Sequence, residues 1–279
     1  MGKENTVVSP HVVTKQPVRS LHADSCLTVA MAEEVPVEHT LDVVVNGRRA
    51  LQLVCTATSL RELVVGRLYS EGIIAAVGDI EALRFDESLS TVRVSLRQAV
   101  PLTAKATEVV PTAVTGTRVF VETPEQESDS RKVTPIPWKA EDIFSLARVF
   151  SSDSPMHRTT CGVHSCYLAQ GAEVLCRCED LGRHNAFDKA VGYGLLHGID
   201  LKRCTVFSSG RLPIDMLKKA VRAGIPLVVS KSVTTDRAVR LARESDLTLI
   251  CSAWPDSLRV YHDPRDADWF EERPRSICA

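Results

Sequence analysis

The run Thr159-Thr160-Cys161-Gly162-Val163-His164-Ser165-Cys166 places a thiol, an imidazole and a second thiol close together, with His157 just before it and Cys176-Arg177-Cys178 shortly after. Three readings fit such a group. Thiolate and imidazole are zinc ligands, although structural zinc sites favour C-x2–4-C spacings, whereas C-x-C sets two thiols on one face of a strand. A thiol held near Arg177, Arg183 or His164 would be a nucleophile, because neighbouring cations lower cysteine pKa. Gly162 leaves room for close approach, which makes Cys161 the first candidate for a reactive thiol and Cys166 the second. Buried thiols acting as small apolar residues demand least of the chain, and this reading also covers Cys55, Cys204 and Cys251 in their apolar runs.

A second set of residues suits an anion. In EDLGRHNAFDK, Gly182 permits a tight turn, and Arg183, His184 and Asn185 stand at a helix start, where free backbone N–H groups favour negative charge. Ser208-Ser209-Gly210-Arg211 offers two hydroxyls and a guanidinium between a strand and a helix. Ser230-Lys231-Ser232-Val233-Thr234-Thr235 leads into the next helix, and Ser252-Ala253-Trp254-Pro255-Asp256-Ser257 follows the last long strand. Any one of these is accounted for by helix capping alone. Together they point to a phosphorylated ligand.

The elements that must position these groups are legible from periodicity. Residues 1 to about 25 read as a frayed, patternless arm. Leu41–Val45 and Ala50–Cys55 flank Asn46-Gly47 as a hairpin. Ser59 and Glu62 then read as a capping box, opening a helix that Gly72 stops. With strands over Ala82–Phe85 and Val92–Leu96 this predicts a small α+β domain of β-grasp type. Residues 97 to about 140, rich in proline and polar residues, read as a long connection. Beyond it, helices over Glu141–Phe150, His184–Leu196, Pro213–Ala223 and Asp236–Glu244 alternate with strands over Glu173–Cys178, Cys204–Ser208, Leu227–Ser230 and Leu247–Cys251. Such alternation predicts an α/β domain with a parallel or mostly parallel sheet, whose ligands gather at the carboxyl ends of strands.

Composition excludes several classes. With 279 residues, 44% apolar and 25% charged, the chain suits one large globular domain or two ordinary ones. A net charge of −1 gives no general attraction to nucleic acid or to a membrane surface. No apolar run approaches the roughly 20 residues of a spanning helix, and Met1 to Gln16 lacks the apolar core of a signal peptide. A cytoplasmic protein is expected, in which nine cysteines are not a disulfide framework.

AEEVPVEHTLDVVVNGRRALQLVCTATSLRELVVGRLYSEGII, TTCGVHSCYL, EDLGRHNAFDKAVG, SSGRLPIDMLKKAVRAGIPLVVSKSVTTDRAVRLA and LTLICSA resemble, in order and spacing, the successive blocks of the FdhD/NarQ family. The resemblance spans about residues 32 to 262. It implies an α/β protein: a smaller β-grasp-like first domain with its connecting segment, residues 26–135, and a cytidine-deaminase-like three-layer second domain, residues 136–279. It also implies a homodimer that binds the guanine-dinucleotide form of a molybdenum or tungsten cofactor. Sulfur would come from a cysteine desulfurase and pass to the catalytic subunit of formate dehydrogenase. The family's persulfide-bearing C-x-x-C lies between the domains, whereas this chain has no cysteine from Arg97 to Arg158. The glycines and arginine typical of the family at Ser252–Ser257 are also absent. A sulfurtransferase using Cys161 or Cys166, a cofactor-binding chaperone that moves no sulfur, and a small Cys/His metal-binding protein therefore all stay open. Deaminase chemistry is excluded, since His164-Ser165-Cys166 is not H-x-E and there is no P-C-x-x-C.

Overall fold

Val13–Leu21 (β1) and Thr28–Pro36 (β2) pair antiparallel, from Val13 opposite Pro36 to Leu21 opposite Thr28. The strand over Val13–Leu21 corrects the expectation of a patternless arm. Most of its side chains are exposed, so no apolar alternation marks it, and the partner strand is what makes it one. The computed structural model describes residues 12–21, 28–98, 102–103, 120–121, 131–152 and 154–266. Cys26 and Cys278 lie outside the described residues.

His39–Val45 (β3) and Arg48–Cys55 (β4) form the expected hairpin, with φ of 47° at Asn46 and 79° at Gly47. Leu60–Ser70 (α1) follows. Ser59 precedes the helix but takes a left-handed conformation and makes no side-chain bond to it, so the capping box does not form. A capping hydroxyl needs an extended backbone to reach the first-turn N–H groups. Gly72, with φ 78°, is the left-handed stop, and Ile73 N–H donates to Leu68 O at 2.9 Å. Ile80–Phe85 (β5) and Thr91–Leu96 (β6) complete a sheet of order β4-β3-β6-β5, with β3 and β6 parallel. Hairpin, helix and hairpin, with the first and last strands parallel at the centre, is the β-grasp arrangement. Leu41, Val43 and Val45 alternate into its core with Val92, Val94 and Leu96, against Leu63, Val64 and Leu68 of α1. Each such side chain contributes about 1.5–3 kcal/mol. Leu102–Thr103 (β7) pairs with Phe120–Val121 (β8), a short ladder inside the stretch read as a plain connection.

The strand–helix alternation then holds. Ala140–Ser152 (α2), Pro155–Thr160 (α3), His164–Gln170 (β9), Glu173–Asp180 (β10) and Arg183–Leu196 (α4) are followed by Thr205–Ser208 (β11), Ile214–Ala223 (α5) and Leu227–Ser230 (β12). Asp236–Glu244 (α6), Thr248–Cys251 (β13) and Arg259–His262 (β14) complete the order. Strands β9 to β14 form a sheet of order β10-β9-β11-β12-β13-β14. β11, β12 and β13 are parallel, and β14 adds an antiparallel strand. The chain is thus of the α/β class. No described helix is long and apolar enough to cross a membrane.

The described residues fall into two compact units. The first lies within Met1–Glu122, Phe150–Cys166 and Arg177–His197, and the second within Thr123–Val149, Tyr167–Cys176 and Gly198–Ala279. In the first unit α1 and α4 cross at two glycines. A Cβ on Gly66 would strike Asp188 O, and one on Gly192 would strike Glu62 O. Only glycine lets the two backbones approach so closely.

Candidate functional site

In the second unit the parallel strands β11 and β12 end in register, Ser208 beside Ser230. The loops that follow them are laced together. Gly210 N–H donates to Ser208 Oγ at 3.2 Å, and Ser230 Oγ donates to Gly210 O at 2.7 Å. Thr234 Oγ1 donates to Leu212 O at 2.8 Å, beside an isolated parallel bridge between Leu212 and Thr234. Ser252 N–H reaches Ser232 O at 2.8 Å and Ala253 N–H reaches Ser230 O at 3.0 Å, tying in the loop after β13. The hydroxyls of Ser208, Ser230 and Thr234, expected at a phosphate, are therefore bonded to backbone and shape the loops. Arg211, Thr235, Trp254, Asp256 and Ser257 face solvent, with Ser209 and Pro255 half-buried. Lys231 Nζ stands 4.8 Å from the centroid of the Trp254 ring. Arg211 and Lys231 are the cations that this edge presents to an anion.

In the first unit α3 ends at Cys161, an exposed residue whose backbone is left-handed (φ 51°) and whose N–H donates to His157 O at 2.7 Å. The room left by Gly162 is used otherwise than expected: a Cβ there would lie 2.8 Å from the Pro36 ring. His157 Nδ1 pairs with Val163 O at 2.9 Å. His164 is half-buried, and burial, with the charges of Arg183 and His157, holds its pKa below the usual histidine value. Cys166 is fully buried in β9. Burial above all, then Cys178 and Asp188, pushes its thiol well up, which removes the thiolate at neutral pH. Of the two candidates, Cys161 alone is an exposed residue. Among the described residues no three or more His, Cys, Asp or Glu side chains are grouped to hold a metal ion.

Two adjacent carboxylates that sequence reasoning passed over organise this unit. Glu179 accepts from Met156 N–H at 3.1 Å and His157 N–H at 2.9 Å, holding the start of α3. Asp180, fully buried, accepts from Gly182 N–H at 3.0 Å, Asn185 Nδ2 at 2.9 Å and Thr56 N–H at 3.1 Å. It also pairs with the equally buried Lys189 at 2.7 Å. Lys189 further donates to Thr56 Oγ1 at 2.7 Å and Glu179 O at 3.0 Å. Arg67 and Asp188 form a second buried pair at 3.0 Å. Arg183, His184 and Asn185 are buried at the start of α4, and Asn185 also donates to Val54 O at 2.8 Å. Gly182 has φ −105°, an extended backbone open to any residue, so the tight turn expected there is not what requires a glycine. One sequence signal was available: Asp188-Lys189 interrupts the otherwise apolar positions of Ala186, Phe187, Ala190 and Val191.

The sequence profile of the FdhD/NarQ family matches residues 36–267. The chain belongs to the FdhD/NarQ family. It is 33% identical over 240 residues to a protein of Bacillus licheniformis named sulfur carrier protein FdhD, covering 84% of this chain and 89% of that one. The Bacillus subtilis protein of the same name is 32% identical over 234 residues, covering 83% and 89%. Among solved structures, that of a putative formate dehydrogenase accessory protein from Desulfotalea psychrophila superposes with a TM-score of 0.75 at 23% identity. The match covers 91% of this chain and 98% of that one, and shows a shared fold. Within the matched FdhD/NarQ region lie Cys161, the Glu179–Asp180 pair and the laced loops after β11, β12 and β13.

Proposed function

We propose that this chain serves the maturation of formate dehydrogenase by binding, as its substrate, the guanine-dinucleotide form of a molybdenum or tungsten cofactor. The observation that carries the reading is the set of three laced loops at the carboxyl ends of β11, β12 and β13, with Arg211 and Lys231 beside them. Ligands of α/β sheets gather at that edge, and fixed loop backbones with two cations suit a diphosphate. The names carried by the relatives, sulfur carrier and formate dehydrogenase accessory protein, support the maturation role. Calorimetric titration of the whole chain with GDP, ADP and CDP tests the reading. GDP is expected to bind most tightly. Equal binding of all three, or none at millimolar concentration, would count decisively against it.

A sulfur-transfer role goes further and rests on the exposure of Cys161. In it, the Cys161 thiolate attacks the terminal sulfur of a cysteine desulfurase persulfide. The donor leaves as its thiolate, and Cys161 keeps the sulfane sulfur for the cofactor's metal. Incubation with a desulfurase and cysteine should then add the mass of about one sulfur atom to the peptide containing Cys161. If no cysteine gains it, the chain acts as a cofactor-holding chaperone instead. A homodimer belongs to the same proposal, and sedimentation equilibrium at micromolar concentration showing only monomer would remove it.

A further inference from the structure

The four-stranded sheet of the first unit has two faces, and the core uses one of them. Leu41, Val43 and Val45 of β3 and Val92, Val94 and Leu96 of β6 are buried with α1. The residues that alternate with them point the other way. On that outer face the register sets Arg49 of β4 beside Val44 of β3, Val44 beside Arg93 of β6, and Arg93 beside Arg84 of β5. One level of the sheet, taken across all four strands, is therefore Arg49, Val44, Arg93 and Arg84. The three arginines are exposed and Val44 is half-buried, so the face is open to solvent.

The three charges are met unequally. Arg49 Nε donates to Asp42 Oδ1 at 3.0 Å, in an ion pair whose closest approach is 2.6 Å, and Gln52 Nε2 donates to the same oxygen at 3.0 Å. Neither Arg84 nor Arg93 makes a hydrogen bond or ion pair among the described residues. They stand directly opposite each other on antiparallel strands, where like charges weaken the pairing. Asp86, just beyond β5, is spent on its own turn, accepting from Thr91 N–H at 3.1 Å and from the hydroxyls of Ser88 and Ser90. A carboxylate brought from outside would replace the repulsion between the two guanidinium groups with charge-assisted hydrogen bonds.

The row also has a definite length. Neighbouring strands lie about 4.8 Å apart, so Arg49 to Arg84 spans about 14 Å. An extended peptide laid across the strands repeats its side chains on one side about every 6.8 Å, so three carboxylates at alternate positions span about the same distance. No aromatic side chain lies in the row or at Thr40, Asp42, Thr91 and Ser95 around it, so a nucleic acid would find no base-stacking surface there.

We propose that the outer face of the sheet formed by β3 to β6 docks an extended acidic segment of a partner protein, with Arg84 and Arg93 binding its carboxylates and Arg49, held by Asp42, at the end of the row. This surface lies in the first unit and does not depend on nucleotide binding.

The test is fluorescence anisotropy of the full-length chain with three labelled probes: a peptide of alternating glutamate and threonine, its lysine–threonine counterpart, and oligouridylate. The wild type is expected to bind the acidic peptide more tightly than the basic one, and less tightly as salt rises. R84Q/R93Q should weaken the acidic peptide about fivefold to tenfold, leave oligouridylate unchanged, and melt at or above the wild-type temperature, because the opposed charges are gone. R237Q/R240Q on α6 removes the same net charge and should stay within about twofold of wild type. The proposal is overturned if the wild type binds no acidic peptide at low salt or binds the basic one equally well. It is also overturned if R84Q/R93Q binds within about twofold of wild type, melts well below it, or loses oligouridylate instead of peptide, or if R237Q/R240Q loses as much.

Discussion

Lys189 is the residue whose replacement tests the first unit most sharply. Its ammonium is fully buried, 2.7 Å from Asp180, and also bonded to Thr56, Thr58 and the carbonyl of Glu179. Lys189→Met keeps most of the stem and removes the charge. The Asp180 carboxylate then loses its one counter-charge among these contacts but keeps neutral donors from Thr56, Gly182 and Asn185. Breaking a buried pair costs about 3–5 kcal/mol, and the surviving donors place this case near about 3 kcal/mol. That is a large part of the roughly 5–15 kcal/mol that holds a domain folded. Urea unfolding should show the loss as a lowered midpoint. Hydrogen exchange should open first in peptides covering Thr56 and the start of α4, because Lys189 and Asp180 join those segments. Asp180→Asn in the Lys189→Met background removes the stranded charge and should return about 1–2 kcal/mol. The reasoning fails if Lys189→Met lies within about 1 kcal/mol of wild type, or if the second substitution adds a further independent loss.

Gly66→Ala or Gly192→Ala places a methyl group against backbone where α1 and α4 cross, and should cost more than about 3 kcal/mol or prevent folding; a melting temperature near wild type would contradict the close crossing. A slow alkylating reagent applied to the native chain should label Cys161 while Cys55, Cys166 and Cys251 stay unmodified until denaturation. Burial is the first cause in each of those three, with Cys55 and Cys251 pushed up to about 12; native labelling of Cys166 would refute the assignment. His164 has its folded pKa below its unfolded value, so the unfolded state binds its proton first. The stability it supports is present above the usual histidine pKa of about 6.5 and is lost as pH falls through that value towards the folded one. Unfolding midpoints measured across that window should fall less steeply in His164→Gln than in wild type, and identical slopes would exclude the contribution.

Local chemistry made much of the fold legible. The Asn46-Gly47 hairpin, the stop at Gly72 and the alternation of Leu41, Val43 and Val45 all depend on interactions spanning a few residues, and each stands where expected. The same holds for β11, β12 and β13, whose short apolar runs are buried along their whole length. Ser59 shows the limit of that reasoning. Residue type suited it to a cap, but its backbone is left-handed and its side chain makes no bond to the helix. The β1 strand shows another, since its partner rather than its pattern makes it a strand.

The sequence by itself determined the family, the α/β class and the polar segments at strand ends, because these are written in residue types at fixed spacings. Only the tertiary structure decided what each polar group does. It spent the hydroxyls of Ser208, Ser230 and Thr234 on neighbouring backbone, left Arg211 and Trp254 facing solvent, and separated an exposed Cys161 from a buried Cys166. It also brought Thr56, Asp180 and Lys189 into one buried cluster from positions far apart in the chain. Burial and pairing depend on which segments meet, and spacing along the chain records only which segments exist. A thiol, a hydroxyl or a carboxylate therefore acquires its reactivity from neighbours that the local sequence does not name.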